Sequence, residues 1–350
     1  MAKCKVLSSK IFNMETQKKR ILIVGGYGMV GSNIARLIRK ADQRIELILA
    51  GRNPQNGMSL AKELNHTETA HINLEEGFDL SKFKKIDLII SAVDDHSNIL
   101  RETAILNGIA CIAVSELAEQ ISPTAFLSLH KKILAPVVYA GHWQAGILTL
   151  MVKQQASKFS EIDTIELAGL YDPKDSVGPL VANEVSGFVG EALIRKGGNW
   201  LSVQAKENPR TIALHNQSSV IGYPLSTLDV PSIAAFTGAK NIRFDFITGE
   251  SIGTTKGLDA SHDLYITIEG TLLSGEKRKL STIVSGPKGN SHLTAVGVYL
   301  ITEKILGLNG QSEQKAGGLY LPETIISTDH INNRLEEFGI EIIEETLESL

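Results

Sequence analysis

The stretch "ILIVGGYGMVGSNIARLIRK" (Ile21–Lys40) decides the fold of this chain. Its first four residues are apolar and mostly β-branched, which is typical of a strand that is buried on both faces. Apolar residues then recur at helical spacing from Met29 onward. Gly26, Gly28 and Gly31 lie between the two patterns at the G-x-G-x-x-G spacing. A glycine pattern of this kind is weak by itself, and its meaning depends on the elements on either side of it.

A second apolar strand is predicted over Ile45–Ala50, so the glycines lie inside a βαβ unit. In such a unit Gly26 permits the tight turn, Gly28 lets a pyrophosphate approach the backbone, and Gly31 lets the helix pack closely on the strand. The positive amino end of the helix favours a phosphate. This context favours a dinucleotide site over a strand–helix turn that merely needs glycine.

The first half of the chain alternates between strands and helices. Further elements are predicted as strands at residues 71–74, 87–92, 110–114 and 136–140 and as helices at residues 58–64, 96–107 and 123–132. This alternation predicts an α/β fold, a Rossmann domain with a doubly wound parallel sheet.

The pattern changes after Gly141. A long strand is predicted over Ile162–Tyr171, a helix over Val181–Arg195, and a hairpin around "SGEK" that joins Leu264–Leu273 to Lys279–Ser285. The pattern predicts a second, α+β domain with a mixed or antiparallel sheet. We therefore predict a tail (1–20), a Rossmann domain (21–141), a substrate and dimerisation domain (142–290) and a C-terminal segment that returns to the Rossmann domain (291–350).

Composition narrows the function. The chain has 350 residues, of which 43% are hydrophobic and 21% charged, so a sizeable core is expected and disorder is not. A net charge of -4 argues against nucleic acid as a partner. Two cysteines do not make a disulfide framework or a Cys-rich metal site, and we predict no bound metal. No apolar run is long enough for a membrane span, and a cytoplasmic location is the simplest expectation.

The end of the second strand distinguishes NAD from NADP. An NAD site usually places Asp or Glu there to bind the ribose 2′-hydroxyl. In "LILAGRNPQ" no acid occurs from residue 48 to residue 56, and Arg52 is followed by Asn53. A guanidinium binds a 2′-phosphate with a fork of donors, which favours NADP(H). The alternative is that Arg52 is an ordinary surface arginine.

Ser91 and Ala92 follow the fourth strand, at the edge of the sheet where ligands bind, and we expect them near the nicotinamide ribose. Asp94 and Asp95 come next and are expected to cap the following helix. The predicted cofactor-binding residues are Gly26, Tyr27, Gly28, Met29, Val30, Gly31, Arg52, Asn53, Ser91 and Ala92.

Several segments together resemble the saccharopine dehydrogenase and reductase family. They are "VGGYGMVG" with "AGR", "VVYAGHWQAGILTLMV", "GYPLSTLDVPSIAAFTGAKNIRF", "DLYITIEGTLLSGEKRKL" and "GGLYLPETI". The resemblance covers Ile21–Gly339. It implies hydride transfer, with NADP(H), at a C–N bond of a small, amino-acid-derived substrate that lies between the nicotinamide and the second domain.

The chain departs from that family at one turn. The family turn resembles "G-x-D-P-G", whereas this chain has "GHWQAG" over Gly141–Gly146, without the acid and the proline. The departure brings saccharopine itself into question as substrate. It also leaves a second class open, a non-catalytic NADP(H)-binding sensor or regulator on the same fold.

Four residues are candidates for the chemistry. His142 lies just past a strand end and has the pKa range for proton transfer, although a histidine that only holds the turn is about as plausible. Glu116 lies where the family often has an acid, and it either binds a substrate amine or begins a helix. Trp143 and Gln144 are expected against the substrate, the alternative for Trp143 being a core position at the domain junction.

Overall fold

The structure is a computed structural model, and it describes residues 18–114, 118–176 and 190–349. These residues form sixteen strands and ten helices. The strands are β1 (Arg20–Val24), β2 (Glu46–Gly51), β3 (Thr67–His71), β4 (Leu88–Ser91), β5 (Ala110–Ala113), β6 (Pro136–Tyr139), β7 (Phe159–Tyr171), β8 (Glu191–Lys196), β9 (Asn199–Gln204), β10 (Arg210–Ala213), β11 (Ser219–Pro224), β12 (Asn241–Thr248), β13 (His262–Leu272), β14 (Lys277–Gly286), β15 (Gly318–Tyr320) and β16 (Glu341–Ser349). The helices are α1 (Met29–Ala41), α2 (Met58–Leu64), α3 (Ile99–Asn107), α4 (Ala118–His130), α5 (Ile147–Ala156), α6 (Asp229–Thr237), α7 (Ile252–Thr255), α8 (Gly289–Leu306), α9 (Pro322–Ile325) and α10 (Ile331–Glu336).

The first sheet has seven parallel strands in the order β15-β6-β5-β4-β1-β2-β3. Leu22 of β1 lies opposite Ile48 of β2 on one side and opposite Ile89 of β4 on the other. The strand order therefore reverses between β1 and β4, and in open α/β sheets the ligand crevice lies at such a point. The predicted α/β fold with a doubly wound parallel sheet is confirmed.

Helices cover both faces of this sheet. Ile21 and Ile23 belong to a hydrophobic cluster that includes α1 and α8, whereas Leu22 and Val24 belong to a cluster on the other face that includes α3. Because successive side chains of a strand point to opposite faces, a strand covered on both sides must be apolar throughout. This explains the unbroken apolar run at residues 21–24.

The second sheet is mixed. Its strands follow the order β10-β11-β12-β7-β13-β14-β16, and β8 pairs with β12 and with β9. β12 and β7 are parallel, with Phe244 opposite Leu167, while the other pairs are antiparallel. β13 and β14 form the predicted hairpin, in which Thr267 lies opposite Ser281. The predicted second domain with a mixed sheet is confirmed.

Helix α8 lies between the two sheets. Its Ala295 and Val298 pack in the cluster on the α1 side of the first sheet, and its Leu293 and Val296 pack in the core of the second. We predicted that residues 291–350 return to the first domain. α8 and β15 pack there, and β16 pairs with β14 in the second sheet.

Two predicted elements are wrong. The third strand is β3, which ends at His71, and the three residues from Leu74 to Glu76 form a 3₁₀ helix instead. The predicted helix over Val181–Arg195 falls partly on residues 177–189, which lie outside the described residues. Its last part is strand β8, in which Ala192 and Ile194 alternate with more exposed residues. In addition, α4 begins at residue 118, earlier than predicted. Within the described ranges we find no helix with the length and apolar character that a bilayer crossing requires.

Candidate functional site

The glycine turn lies where the strand order of the first sheet reverses. Gly25 has a φ of +81°, and a Cβ there would lie 2.7 Å from the carbonyl oxygen of Ala92. We expected Gly26 to make the tight turn, but the left-handed residue is Gly25. Gly26 is buried against β2 instead, where a Cβ would lie 2.9 Å from the Cα atom of Leu49. Sequence reasoning missed Gly25, although the "GG" pair in the sequence carried the signal.

The other two motif glycines differ in their surroundings. A Cβ on Gly31 would meet the carbonyl group of Gly25, with the carbon 2.8 Å away, so the expected close packing of α1 is confirmed. Gly28 is exposed just before α1, and a Cβ there would meet only the carbonyl oxygen of Gly25, at 3.2 Å. The first turn of α1 has no acidic residue, and no side chain caps it. The positive end of α1 is therefore available to a phosphate beside Gly28.

Arg52 and Asn53 lie at the carboxyl end of β2, and both are exposed. Within the part of the chain that the structure describes, the side chain of Arg52 has no hydrogen bond and no ion pair. The phenol oxygen of Tyr27, from the glycine turn, accepts a hydrogen bond from the backbone N–H of Asn53 at 3.0 Å. The structure thus brings the predicted loop after β2 against the predicted glycine turn.

Ser91 and Ala92 lie beside the same turn. The backbone N–H of Ala92 donates to the carbonyl of Val24, and its own carbonyl lies against Gly25. The hydroxyl of Ser91 is buried and donates to the carbonyl of Val93 at 3.1 Å. Ala92 therefore meets the glycine turn through its backbone, while Ser91 is buried, with its carbonyl accepting from the N–H of Val114.

Asp95 caps the helix that follows β4, as predicted. Its two carboxylate oxygens accept from the backbone N–H groups of Ile99 and Leu100 at 3.0 and 2.9 Å. Asp94 lies 2.9 Å from the imidazole of His96. Negative charge at the amino end of α3 is favourable, and the carboxylate of Asp95 supplies it.

The turn that follows β6 has a left-handed backbone. Gln144 and Ala145 have φ values of 55° and 51°, and Gly146 has a φ of 94°. The two non-glycine residues are uncommon in this region and require support from their surroundings. Helix α8 gives part of this support through its Gly297. A Cβ on Gly297 would lie 2.5 Å from the carbonyl oxygen of Gln144, so the helix and the turn are in close contact. The turn is therefore pressed against the helix between the two sheets.

His262 fixes the side chains of this turn to the second sheet. Its Nε2 accepts from the indole N–H of Trp143 at 3.2 Å, and the amide nitrogen of Gln144 lies 2.9 Å from the same atom. The amide oxygen of Gln144 accepts from the hydroxyl of Thr294 at 2.6 Å. Burial lowers the pKa of His262 to about 4, so the ring is neutral and Nε2 remains an acceptor. Sequence reasoning missed His262, since a lone histidine at the start of a strand belongs to no motif.

Asp229 holds the backbone of the same turn. One carboxylate oxygen accepts from the N–H of Trp143 at 2.8 Å, and the other accepts from the hydroxyl of Thr149 at 2.6 Å. The indole of Trp143 lies over Gly169 and 4.8 Å from the ring of Phe244. Asp229 was also missed, because no local pattern links it to a turn so far away in the sequence. The contacts of Trp143 and Gln144 with a substrate stay predictions.

Two catalytic residues were predicted, and the structure describes one of them, His142. Its side chain is 3% exposed, and neither ring nitrogen has a hydrogen-bond partner among the described residues. Buried polar atoms without partners are rare, and each needs an explanation. Glu116, the other predicted catalytic residue, lies outside the described residues. The imidazole of His142 is therefore buried with both ring nitrogens unpaired among the described residues.

These features fit a dinucleotide. The open side of Gly28 and the uncapped amino end of α1 suit a pyrophosphate, and Arg52 suits a further phosphate at the end of β2. In the ranges that the structure covers, no group of three or more His, Cys, Asp or Glu side chains is placed to hold a metal ion.

Comparison with known proteins supports the same interpretation. The family model described as "Semialdehyde dehydrogenase, NAD binding domain" matches residues 20–119. A search of curated protein sequences gives no match. Apo saccharopine dehydrogenase (L-Glu forming) from Saccharomyces cerevisiae is a similar solved structure, with a TM-score of 0.69 and 14% identity over 94% of this chain and 100% of that chain. Homospermidine synthase from Legionella pneumophila, in complex with NAD, has a TM-score of 0.63 and 11% identity over 94% of this chain and 92% of that chain.

The similarity to both structures extends over both sheets, and the family model covers the glycine turn, the loop after β2 and the end of β4. At these identities the likeness establishes the fold. The resemblance to saccharopine dehydrogenase that the sequence indicated is thus confirmed for the fold, and the chain has a nucleotide-binding dehydrogenase fold.

Proposed function

We propose that this protein is an NADP(H)-dependent oxidoreductase that transfers hydride at the C–N bond of an amino-acid-derived substrate. The observation that carries the proposal is Arg52, an exposed guanidinium at the carboxyl end of β2 without an ion pair among the described residues. The glycine turn and its fold support a nicotinamide dinucleotide, and the resemblance to saccharopine dehydrogenase supports the C–N bond. The homospermidine synthase structure contains NAD, and Arg52 is our reason for choosing NADP here.

Each part of the site has a role in this proposal. The bound nicotinamide supplies or accepts the hydride. The amino end of α1 and the backbone at Gly28 hold the pyrophosphate, and Arg52, with Asn53 beside it, holds the 2′-phosphate by charge-assisted hydrogen bonds. Ser91 and Ala92 shape the crevice near the nicotinamide ribose.

His142 is the proposed proton donor and acceptor. Hydride transfer to a C=N bond is favoured when its nitrogen is protonated, and the reverse reaction releases that proton. An imidazole with both nitrogens unpaired suits this exchange. Glu116 is proposed to bind a substrate amine, and Trp143 and Gln144 to border the substrate. The homodimer and the cytoplasmic location also remain predictions from the sequence.

Nucleotide titration tests the cofactor. We expect Arg52→Ala to weaken NADPH binding about 10- to 100-fold, because a hydrogen-bonded ion pair with the 2′-phosphate is lost. NADH, which lacks that phosphate, should bind as before. Nicotinamide fluorescence measures both affinities. Arg44→Ala is the matched control, because Arg44 is an exposed arginine that precedes β2 at the opposite end of the strand. An equal loss of both nucleotides in Arg52→Ala would exclude the assignment to NADP.

Turnover separates an enzyme from a sensor. Purified protein with NADPH is mixed with a panel of keto acids and amines, and absorbance at the nicotinamide band is monitored. Oxidation that depends on both substrates supports the enzyme. Tight NADPH binding without oxidation by any pair would support the alternative, a non-catalytic sensor or regulator.

A further inference from the structure

The side chain of Tyr27 connects the glycine turn to the loop after β2. Its phenol oxygen accepts the N–H of Asn53 at 3.0 Å, across 26 positions of the sequence. Asn53 comes directly after Arg52, and the peptide unit between them is planar. A hydrogen bond to the N–H of Asn53 therefore fixes the orientation of the peptide unit that leaves Arg52.

Two glycines of this loop make room for the phenol. A Cβ on Gly51 would meet the phenol oxygen of Tyr27 and would lie 2.8 Å from its Cζ. A Cβ on Gly57 would lie 2.7 Å from its Cδ1. Neither glycine has a positive φ, so the backbone conformation does not require glycine at either position. The close approach of the ring does require it, and the loop is thus built around Tyr27.

Two backbone hydrogen bonds also hold the loop, from the N–H of Ile72 to the carbonyl of Gly51 and from the N–H of Asn56 to the carbonyl of Asn53, both at 3.1 Å. Arg52 and Asn53 are exposed, and within the described ranges no side-chain hydrogen bond of either residue is found. An exposed loop with few contacts loses conformational entropy when it binds a ligand, and a fixed loop loses less. The hydrogen bond from Asn53 to Tyr27 adds a side chain of the glycine turn to these backbone bonds, and it fixes the peptide unit next to Arg52 before a nucleotide arrives.

We propose that Tyr27 is a positioning residue for cofactor selection, which holds the loop after β2 so that Arg52 meets the 2′-phosphate of NADP(H). This inference rests on the proposed use of NADP(H). The inference adds to the proposed function by assigning the preference for NADPH to two residues. Arg52 contacts the 2′-phosphate, and Tyr27 only orients Arg52.

The test is nucleotide titration of Tyr27→Phe, which removes one oxygen atom and keeps the ring between the two glycines. We expect the Kd for NADPH to rise about 3- to 10-fold, as for the loss of one hydrogen bond, and the Kd for NADH to stay unchanged. Gly51→Ala should weaken NADPH binding at least as much, because its methyl group would displace both the phenol oxygen and the Cζ atom of the ring. The double variant should lose less than the sum of the two single losses, since both changes break the same hydrogen bond.

Tyr320→Phe is the matched control. Tyr320 is the last residue of the edge strand β15 of the same sheet. The substitution removes a phenol oxygen that is hydrogen-bonded to Gln314 and Ala316. Its affinities for both nucleotides should equal those of the wild type. Thermal unfolding is measured for each variant to check that the variant is folded.

The outcomes separate this inference from the proposed function. A wild-type protein without a preference for NADPH overturns the cofactor assignment and the role of Tyr27 with it. A preference that survives Arg52→Ala keeps the cofactor assignment and overturns the roles of Arg52 and Tyr27. A preference that depends on Arg52 but is unchanged in Tyr27→Phe overturns the role of Tyr27 alone. An equal loss of NADPH and NADH affinity in Tyr27→Phe also overturns it, because the phenol would then support the whole site.

Discussion

At the scale of single residues, substitution of His142 tests the proposed proton transfer. Its buried ring has two nitrogens without partners among the described residues, which suits a proton carrier. We expect His142→Asn to lower kcat about 100-fold or more, and to leave the Kd for NADPH unchanged. Steady-state kinetics and nucleotide titration measure the two quantities. His130→Asn, at an exposed position at the end of α4, is the control and should match the wild type. A kcat that stays within a few fold would assign His142 to holding the turn.

A second residue-scale prediction concerns acid. Burial lowers the pKa of His262 to about 4, from 6.5 for an unperturbed histidine. The unfolded chain therefore binds a proton at a higher pH than the folded protein does, and acid favours unfolding. The free energy of unfolding should fall as the pH drops from about 6.5 towards 4, by about 2 kcal/mol at pH 5 from this group. Burial also lowers the pKa of His292 to about 4, with the same sign.

Denaturant unfolding at several pH values measures this dependence. His262→Asn removes the titrating ring, so its stability should change less between pH 7 and pH 5 than that of the wild type. The comparison is between slopes, because the variant also loses the contacts with Trp143 and Gln144. Parallel curves for the two proteins would contradict the prediction.

At the scale of elements, the turn between β1 and α1 separates binding from folding. Gly28 is open to solvent, whereas Gly31 is pressed on the carbonyl of Gly25. We expect Gly28→Val to abolish dinucleotide binding with little change in Tm, because its side chain fills the space for the pyrophosphate. Gly31→Ala should instead destabilise the protein by about 1–3 kcal/mol, as overpacking does. Thermal unfolding and NADPH titration distinguish them, and a Gly28→Val protein with wild-type affinity would count against the site.

Elements were predictable where local pattern and burial agree. β1 and α1 were found because both faces of the strand and one face of the helix are buried, which sets the periods of the sequence. The strand β3, "TETAH", lies at the edge of the sheet and has no apolar run, so the pattern pointed to residues after it. In β8 the chain alternates between buried and exposed residues, but a predicted helix over the preceding residues obscured this.

The site was predictable to a similar extent. The motif glycines, the exposed Arg52 after β2 and the helix-capping Asp95 were indicated by local sequence pattern, because each lies at the junction of a strand with the segment that follows it. His262 lies 119 positions from Trp143, and Asp229 lies 86 positions from it. Such contacts exist only after the second sheet has formed. The phenol of Tyr27 belongs to the same class, since its partner Asn53 lies in the loop after β2 and not in the glycine motif.

At the scale of the whole molecule, the chain passes between the two sheets more than once. The turn after β6 leads into the second domain, α8 lies between the sheets, β15 completes the edge of the first sheet, and β16 pairs in the second. The hydrophobic cluster on the α1 side of the first sheet is therefore built from residues of both halves of the sequence. Substitutions far along the chain, in α8 for example, are expected to affect the glycine turn through α1.

The position of α8 also has a consequence for how the protein is made. The apolar cluster on the α1 side of the first sheet includes Ala295, Val298, Ile301 and Ile305, and β6 acquires its second neighbour only when β15 exists. A growing chain on the ribosome emerges from its amino end. The first sheet, although its strands β1 to β6 precede α8 in the sequence, thus keeps an uncovered apolar face until α8 and β15 have been synthesised. We therefore expect chaperones to bind mainly to nascent chains in which α8 has not yet been synthesised.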